Sequence, residues 1–175
     1  MAKSTTRTIR LDQDLNEAIE KLAREDKVSV NWLVNSALRE AVEWSFVVPK
    51  LGVATFPKYI TDKLLARLTN EECEELGEQA GREFTKPFAE FRFGNPTLED
   101  YIETIRVFAK YTGQFNFLAK YGEGGKIVLI VKHNSGIKWS HMYKGTGEYI
   151  FHDRLHRNVV HELTDSHVVA TISQS

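Results

Sequence analysis

The chain carries a single cysteine, Cys73, in 175 residues. Without a second thiol it builds no internal disulfide framework, and a lone thiol fits a reducing cytoplasm, which is the expected location. Neither sign of charge is in excess: the formal net charge is −1. An anionic partner must therefore be met by a local patch and not by the field of the whole molecule. No apolar run is long enough to span a bilayer, and the N-terminus lacks the apolar stretch of a signal peptide, so no membrane partner is expected. A nucleophile elbow, a phosphate-binding glycine loop and a zinc-peptidase pattern are also missing. The expectation is a binding protein that is not an enzyme and uses no cofactor. What is present is ordinary globular composition, with 42% hydrophobic and 27% charged residues, enough for one full-sized domain and a small one.

The small one comes first. Residues 5–11 read TTRTIRL, an alternating run behind a basic arm, with no acidic residue before Asp12. Alternation places every second side chain on one face of a strand. Arg7, Ile9 and Leu11 share one side; Thr6, Thr8 and Arg10 share the other and are suited to hydrogen-bonding. A seven-residue strand cannot stand alone and must pair. Asp12 is read as a helix N-cap, after which Leu15, Ala18, Ile19, Leu22 and Ala23 recur at helical spacing. The polar run Arg24 to Lys27 ends that helix. Ser29 caps a second, whose stripe is Val30, Leu33, Val34, Ala37, Leu38 and Ala41. Strand, helix, turn and helix in so short a segment cannot bury both stripes and an unpaired strand. A two-fold dimer resolves this, with the strands paired antiparallel above four helices.

The features TRTIRLDQDL, EKLARE, the turn into Ser29 and VNSALREAV, within residues 6–42, resemble the ribbon-helix-helix DNA-binding family of the Arc and methionine repressor type. The resemblance implies an obligate homodimer whose β-ribbon enters the major groove of double-stranded DNA. By position it makes Thr6, Thr8 and Arg10 the base readers, with Arg10 able to grip guanine in two places. It makes the start of the second helix, at Ser29, Val30 and Asn31, a phosphate clamp built on backbone N–H groups. Lys3, Arg7 and Lys27 add sequence-independent attraction to phosphate. Two positions depart from the family pattern. Lys27 stands where the inter-helix turn usually has glycine, and Val30 and Asn31 replace a frequent basic residue and serine. The other reading of the same fold is an antitoxin-like or other protein-interaction module.

Pro49 and Gly52 mark the end of the second helix, giving a domain over residues 1–46 and a larger one over 54–175. The larger domain begins with Pro57 at a helix start. Thr69 with Glu72, and Thr97 with Asp100, form capping-box patterns before two further helices. Cys73, Leu76 and Ala80 are expected to face inward, while Glu71, Glu72, Glu74, Glu75 and Glu78 form a solvated face. After Gly113 the period changes to two. Phe115 to Tyr121 and the KIVLIVKH run at residues 126–133 read as a hairpin. Residues 137–155 read as a helix weakened by Gly145 and Gly147, and Asn158 to Leu163 with His167 to Ile172 read as a second hairpin. The fold class is therefore α+β: a ribbon-helix-helix unit, then helices with a mostly antiparallel sheet. The features FPKYITDKLL, GIKWS and ELTDSHVVATI resemble C-terminal domains of uncharacterised archaeal ribbon-helix-helix proteins, which brings no activity with it.

All six histidines fall between His133 and His167. His152 and His156, four apart, would share a helix face and are the candidates for a metal ion. Nickel-responsive repressors join a metal-sensing domain to this unit, but their close histidine pair followed by cysteine is not found here, and no metal site is assigned. Phe84, Phe88, Phe91, Phe115, Phe117 and Trp139 are read as core, with a small-molecule pocket as the alternative for some. The larger domain is thus expected to sense a small-molecule or metal effector, or to join dimers into tetramers.

Overall fold

A computed structural model describes residues 5–173. The chain divides into two compact units, residues 1–43 and 44–175.

In the first unit, residues 5–12 form no helix and pair with no strand of the same chain. Helix α1 spans Gln13–Glu25 and α2 spans Val30–Glu40. Asp12 occupies the N-cap of α1 in extended backbone, but its side chain makes no capping bond. Ser29 caps α2 through its hydroxyl, which accepts from the Trp32 amide at 3.0 Å. Between them Lys27 adopts φ +55°. The Val28 amide donates to the Ala23 carbonyl at 3.0 Å and the Lys27 amide to Arg24 at 3.3 Å. This is the Schellman arrangement, so a lysine supplies the left-handed residue that glycine normally provides. The departure at Lys27 leaves the turn intact and places its strain on one residue.

The second unit is built on a four-stranded antiparallel sheet. Its strands are β1 (Asn116–Tyr121), β2 (Ile127–Lys132), β3 (Asn158–Leu163) and β4 (His167–Ser173), in the order β1-β2-β4-β3. Both hairpins lie where the alternation puts them. The central pair β2 and β4 supplies the buried residues Ile127, Leu129, Val168, Ala170 and Ile172. Helices α3 (Lys58–Leu65), α4 (Asn70–Ala80), α5 (Lys86–Phe93), α6 (Leu98–Thr112) and α7 (Ile137–Gly147) complete it. A π-helical stretch, Glu148–Arg154, continues α7. Both capping boxes form, at Thr69 with Glu72 and at Thr97 with Asp100. The entry to this unit is anchored: Val47 and Val48 are buried, and Trp44 lies 5.8 Å from the rings of both Phe88 and Phe108.

The inward face of α4 differs from the expected one. Cys73 and Gly77 are buried, whereas Leu76 is exposed. The reason is a close approach of α4 to α7. A Cβ on Gly77 would overlap the Met142 carbonyl oxygen, and one on Gly145 would overlap that of Glu74. Gly145 thus gives up helix propensity so that two backbones can touch. Leu76, the residue before Gly77 and about 100° round the helix from it, stays outside. Glu74 also leaves the solvated acidic face: its carboxylate accepts from Lys144 Nζ and pairs with His141 Nδ1, both at 2.6 Å.

Candidate nucleic-acid interface

Residues 5–11 are exposed along their whole length, so Thr6, Thr8 and Arg10 present their side chains to solvent, as does Arg7. The basic residues of the helices behave differently. Arg24 pairs with Glu20, Lys21 with Glu25 and Arg39 with Glu43, each one turn apart. Among the described residues, no ion pair or hydrogen bond engages the guanidinium of Arg7 or Arg10. Solvation is thus the only competitor an incoming phosphate or guanine would displace from them. Lys3 lies outside the described residues.

At the start of α2 the Ser29 hydroxyl takes the Trp32 amide, which leaves the Val30 and Asn31 amides at the open end of the helix. The α2 dipole adds partial positive charge there. The Asn31 side chain is oriented by Asn35, whose Nδ2 donates to the Asn31 carbonyl at 2.8 Å and to its Oδ1 at 3.1 Å. With its oxygen so occupied, the Asn31 amide group keeps its N–H donors for an outside acceptor. The reading of the sequence missed Asn35; the signal was two asparagines one turn apart on a helix face.

The apolar stripes are present but not buried. Ala23 is the one fully buried residue in residues 5–43, while Leu15 and Leu22 are each 48% exposed, Trp32 56% and Leu38 57%. The strand expected over residues 5–11 is not formed among the described residues of the single chain, which offer it no partner strand, and Ile9 and Leu11 are exposed too. Two amphipathic helices and the segment before them thus leave large apolar side chains in water.

The arrangement defines a class: a small two-helix module with exposed apolar stripes, preceded by an exposed segment that carries Arg7 and Arg10. Residues 8–43 match the family model described as ribbon-helix-helix protein, copG family. The N-terminal segment is therefore a ribbon-helix-helix domain, of a family made up typically of DNA-binding transcription regulators and antitoxins. No curated protein and no solved structure matches the chain.

The histidines of the second unit go to separate places. The helical stretch ends at Arg154, and His156 turns into the left-handed region at φ +52°. His152 and His156 therefore do not share a helix face, and His152 Nδ1 lies 2.8 Å from Asp153. The expected spacing fails because the helix ends two residues before His156. Among the described residues, no three histidine, cysteine or acidic side chains group as a metal ion would require. His133 is buried. Its Nδ1 accepts from the Ser135 amide, so its Nε2 donates to Ser140 Oγ at 2.9 Å, and Ser140 in turn donates to the Thr164 carbonyl. Burial, with His167 and Lys58 nearby, pushes the His133 imidazole below its ordinary range. It is a structural tie between β2 and α7. No helix among the described residues is long and apolar enough to cross a membrane.

The aromatic residues divide. Phe88 is fully buried and Phe91 is exposed, whereas Phe84, Phe115, Phe117 and Trp139 line a cavity of about 500 Å³ between the sheet and helices α6 and α7.

Proposed function

We propose that the chain is a sequence-specific regulator of transcription in the cytoplasm. Two copies pair their N-terminal strands, and the ribbon so formed reads double-stranded DNA in the major groove. The observation that carries this reading is the pairing of two exposures on one segment. Thr6, Thr8 and Arg10 are exposed, with no hydrogen bond or ion pair to their side chains among the described residues, and the exposed Ile9 and Leu11 need a partner to cover them. An antiparallel ribbon satisfies both needs, since it buries the second set against the helices as it presents the first. Thr6, Thr8 and Arg10 are then the base readers. Arg7, Lys3 and the α2 start at Ser29, Val30 and Asn31 hold phosphates. The protein acts by binding, not catalysis, and its second unit responds to an effector or joins dimers into tetramers.

The test is selection of bound sequences from a random DNA pool by the purified full chain, followed by titration of the winning site. Arg10→Ala should weaken the selected site by about 1–3 kcal/mol and relax the preference at one base position. Affinity should fall steeply as salt rises, because each neutralised phosphate releases counterions. An unchanged affinity in Arg10→Ala and Thr8→Ala would remove the ribbon from the interface. Co-purification of a stoichiometric small protein partner, with no selected DNA, would establish the antitoxin-like reading instead.

A further inference from the structure

The cavity of the second unit sits where a core would ordinarily be filled. One cross-strand row of the sheet runs Ala119, Leu129, Ala170 and His161. Ala170, on the central strand β4, is too small to reach the helices above it and lines the hollow beneath α6 and α7. Its walls carry Trp44, Phe84, Phe108, Phe117, Leu129 and Phe151, and segment 53–56 contributes to them as well. A volume of about 500 Å³ is within the range of sites that enclose a drug-sized molecule.

Three residues of this lining, His161, Tyr143 and Tyr101, carry a buried polar atom without a hydrogen-bond partner. His161 is a polar residue at an inward position of an otherwise apolar sheet face, and its side chain is 2% exposed. Its Nδ1 lies 3.1 Å from Glu148 Oε1 and so carries the proton it donates to that carboxylate, leaving Nε2 as a bare acceptor. That Nε2 is buried without a hydrogen-bond partner, and so is the hydroxyl of Tyr143. Burial holds the imidazole below its ordinary range and the phenol above it, so both are neutral. Buried polar groups are nearly always satisfied. Three orphans around one apolar cavity, an acceptor and two hydroxyls, mark where a molecule would supply missing bonds, and His161 and Tyr143 offer the pair used here. The charged lining residue Lys58 is already held by Asp62 at 2.7 Å, so the lining offers no spare charge.

We infer that the cavity is a binding site for an uncharged, flat, largely aromatic small molecule. The ligand donates a hydrogen bond to His161 Nε2 and accepts one from the Tyr143 hydroxyl. The binding stands on the second unit alone; its meaning as effector control rests on the regulator reading given above. Trp44, which lines the cavity, is the residue that opens the second unit immediately after Glu43.

The experiment titrates the full chain, without DNA, with 7-hydroxyflavone and with flavone. Both are flat and carry a carbonyl acceptor, and only the first carries a free donor; mildly acidic buffer keeps its phenol uncharged. Saturable binding of one molecule per chain is expected, about tenfold tighter for the hydroxylated compound, as one added hydrogen bond provides. In His161→Phe that preference should vanish while flavone affinity holds. Tyr143→Phe removes only an oxygen: it should weaken both compounds about tenfold yet raise the melting temperature of the free protein, because an unsatisfied hydroxyl has been removed. Opposite signs for binding and stability distinguish a ligand contact from a structural one. Val131→Trp, which fills the hollow, should abolish binding with the fold retained by circular dichroism. Absence of saturable binding to the parent chain, or binding untouched by Val131→Trp, overturns the proposal. A chain that binds the flavones but selects no DNA sequence keeps the site and overturns the regulator reading.

Discussion

Replacing Lys27 by glycine should stabilise the N-terminal unit. Lys27 holds φ +55°, a conformation that sets an L-residue's Cβ against its own carbonyl oxygen and is unfavourable by about 1–2 kcal/mol. Glycine has no such clash. It does enlarge the conformational freedom of the unfolded chain, which subtracts about 0.4–1 kcal/mol. The difference leaves a net gain on the order of 0.5–1 kcal/mol. The Val28 bond to Ala23 and the Lys27 bond to Arg24 are backbone bonds, so they survive the exchange. Native-state amide exchange in the full chain is the appropriate assay, because it reads α1 and α2 separately from the larger unit. The Val28 amide should exchange about twofold to fivefold more slowly in the glycine variant, the factor that such a gain implies. Lys27→Ala serves as the control, since it removes the same ammonium and keeps the Cβ. Any effect of charge on DNA affinity appears equally in both variants, whereas protection rises in the glycine variant alone. Equal protection in the two variants would refute the assignment of strain to this residue.

Other expectations follow from the second unit. Gly145→Ala forces a Cβ into the Glu74 carbonyl and should lower stability by about 3 kcal/mol or more, read from urea unfolding. Burial of Glu74 opposes its ionisation, but the bonds from Lys144 and His141 outweigh that and hold its carboxyl below the ordinary value of 4.5. Its contribution is therefore fully present above that value and disappears as pH falls through the depressed one. Glu74→Gln should be destabilising by about 1–2 kcal/mol at neutral pH, with the gap to the parent chain closing in acid; a gap that does not close would refute the ionic role. Cys73 is fully buried and burial raises its thiol pKa, so a thiol reagent should modify it only at the rate of unfolding. Reaction on mixing would show that the α4 seam opens.

Much of this fold can be read from periodicity. The alternation at Phe117 and Ala119, the β-branched run through Leu129, and the two closing strands lie where period two places them, and the Thr69 and Thr97 capping boxes mark true helix starts. Local rules failed where tertiary contact decided the outcome. The α4 face turned on a carbonyl of α7 that no spacing within α4 reveals, so Leu76 was placed inside and Gly77 was overlooked. His152 and His156 were paired on their four-residue spacing alone, which does not reveal the left-handed turn at His156. At the interface, the order of residues from Thr6 to Asn31 was visible, but the orienting role of Asn35 needed coordinates. The cavity was half legible: His161 alternates with Val159 and Leu163, so its inward position was there to be read, whereas the missing volume beside Ala170 depends on strand register.

That Ala23 is the single buried side chain among the described residues of the N-terminal unit has a consequence for how such a regulator would respond to its own abundance. A reading head whose core comes from a second copy is assembled in proportion to the square of the chain concentration while the dimer is scarce. Halving the supply then removes about three quarters of the competent heads, by mass action alone. The unassembled head, with Trp32 and Leu38 in water, is the form a protease would take first. Dilution and turnover would therefore act in the same direction, and a modest fall in synthesis would release the DNA sharply without any ligand.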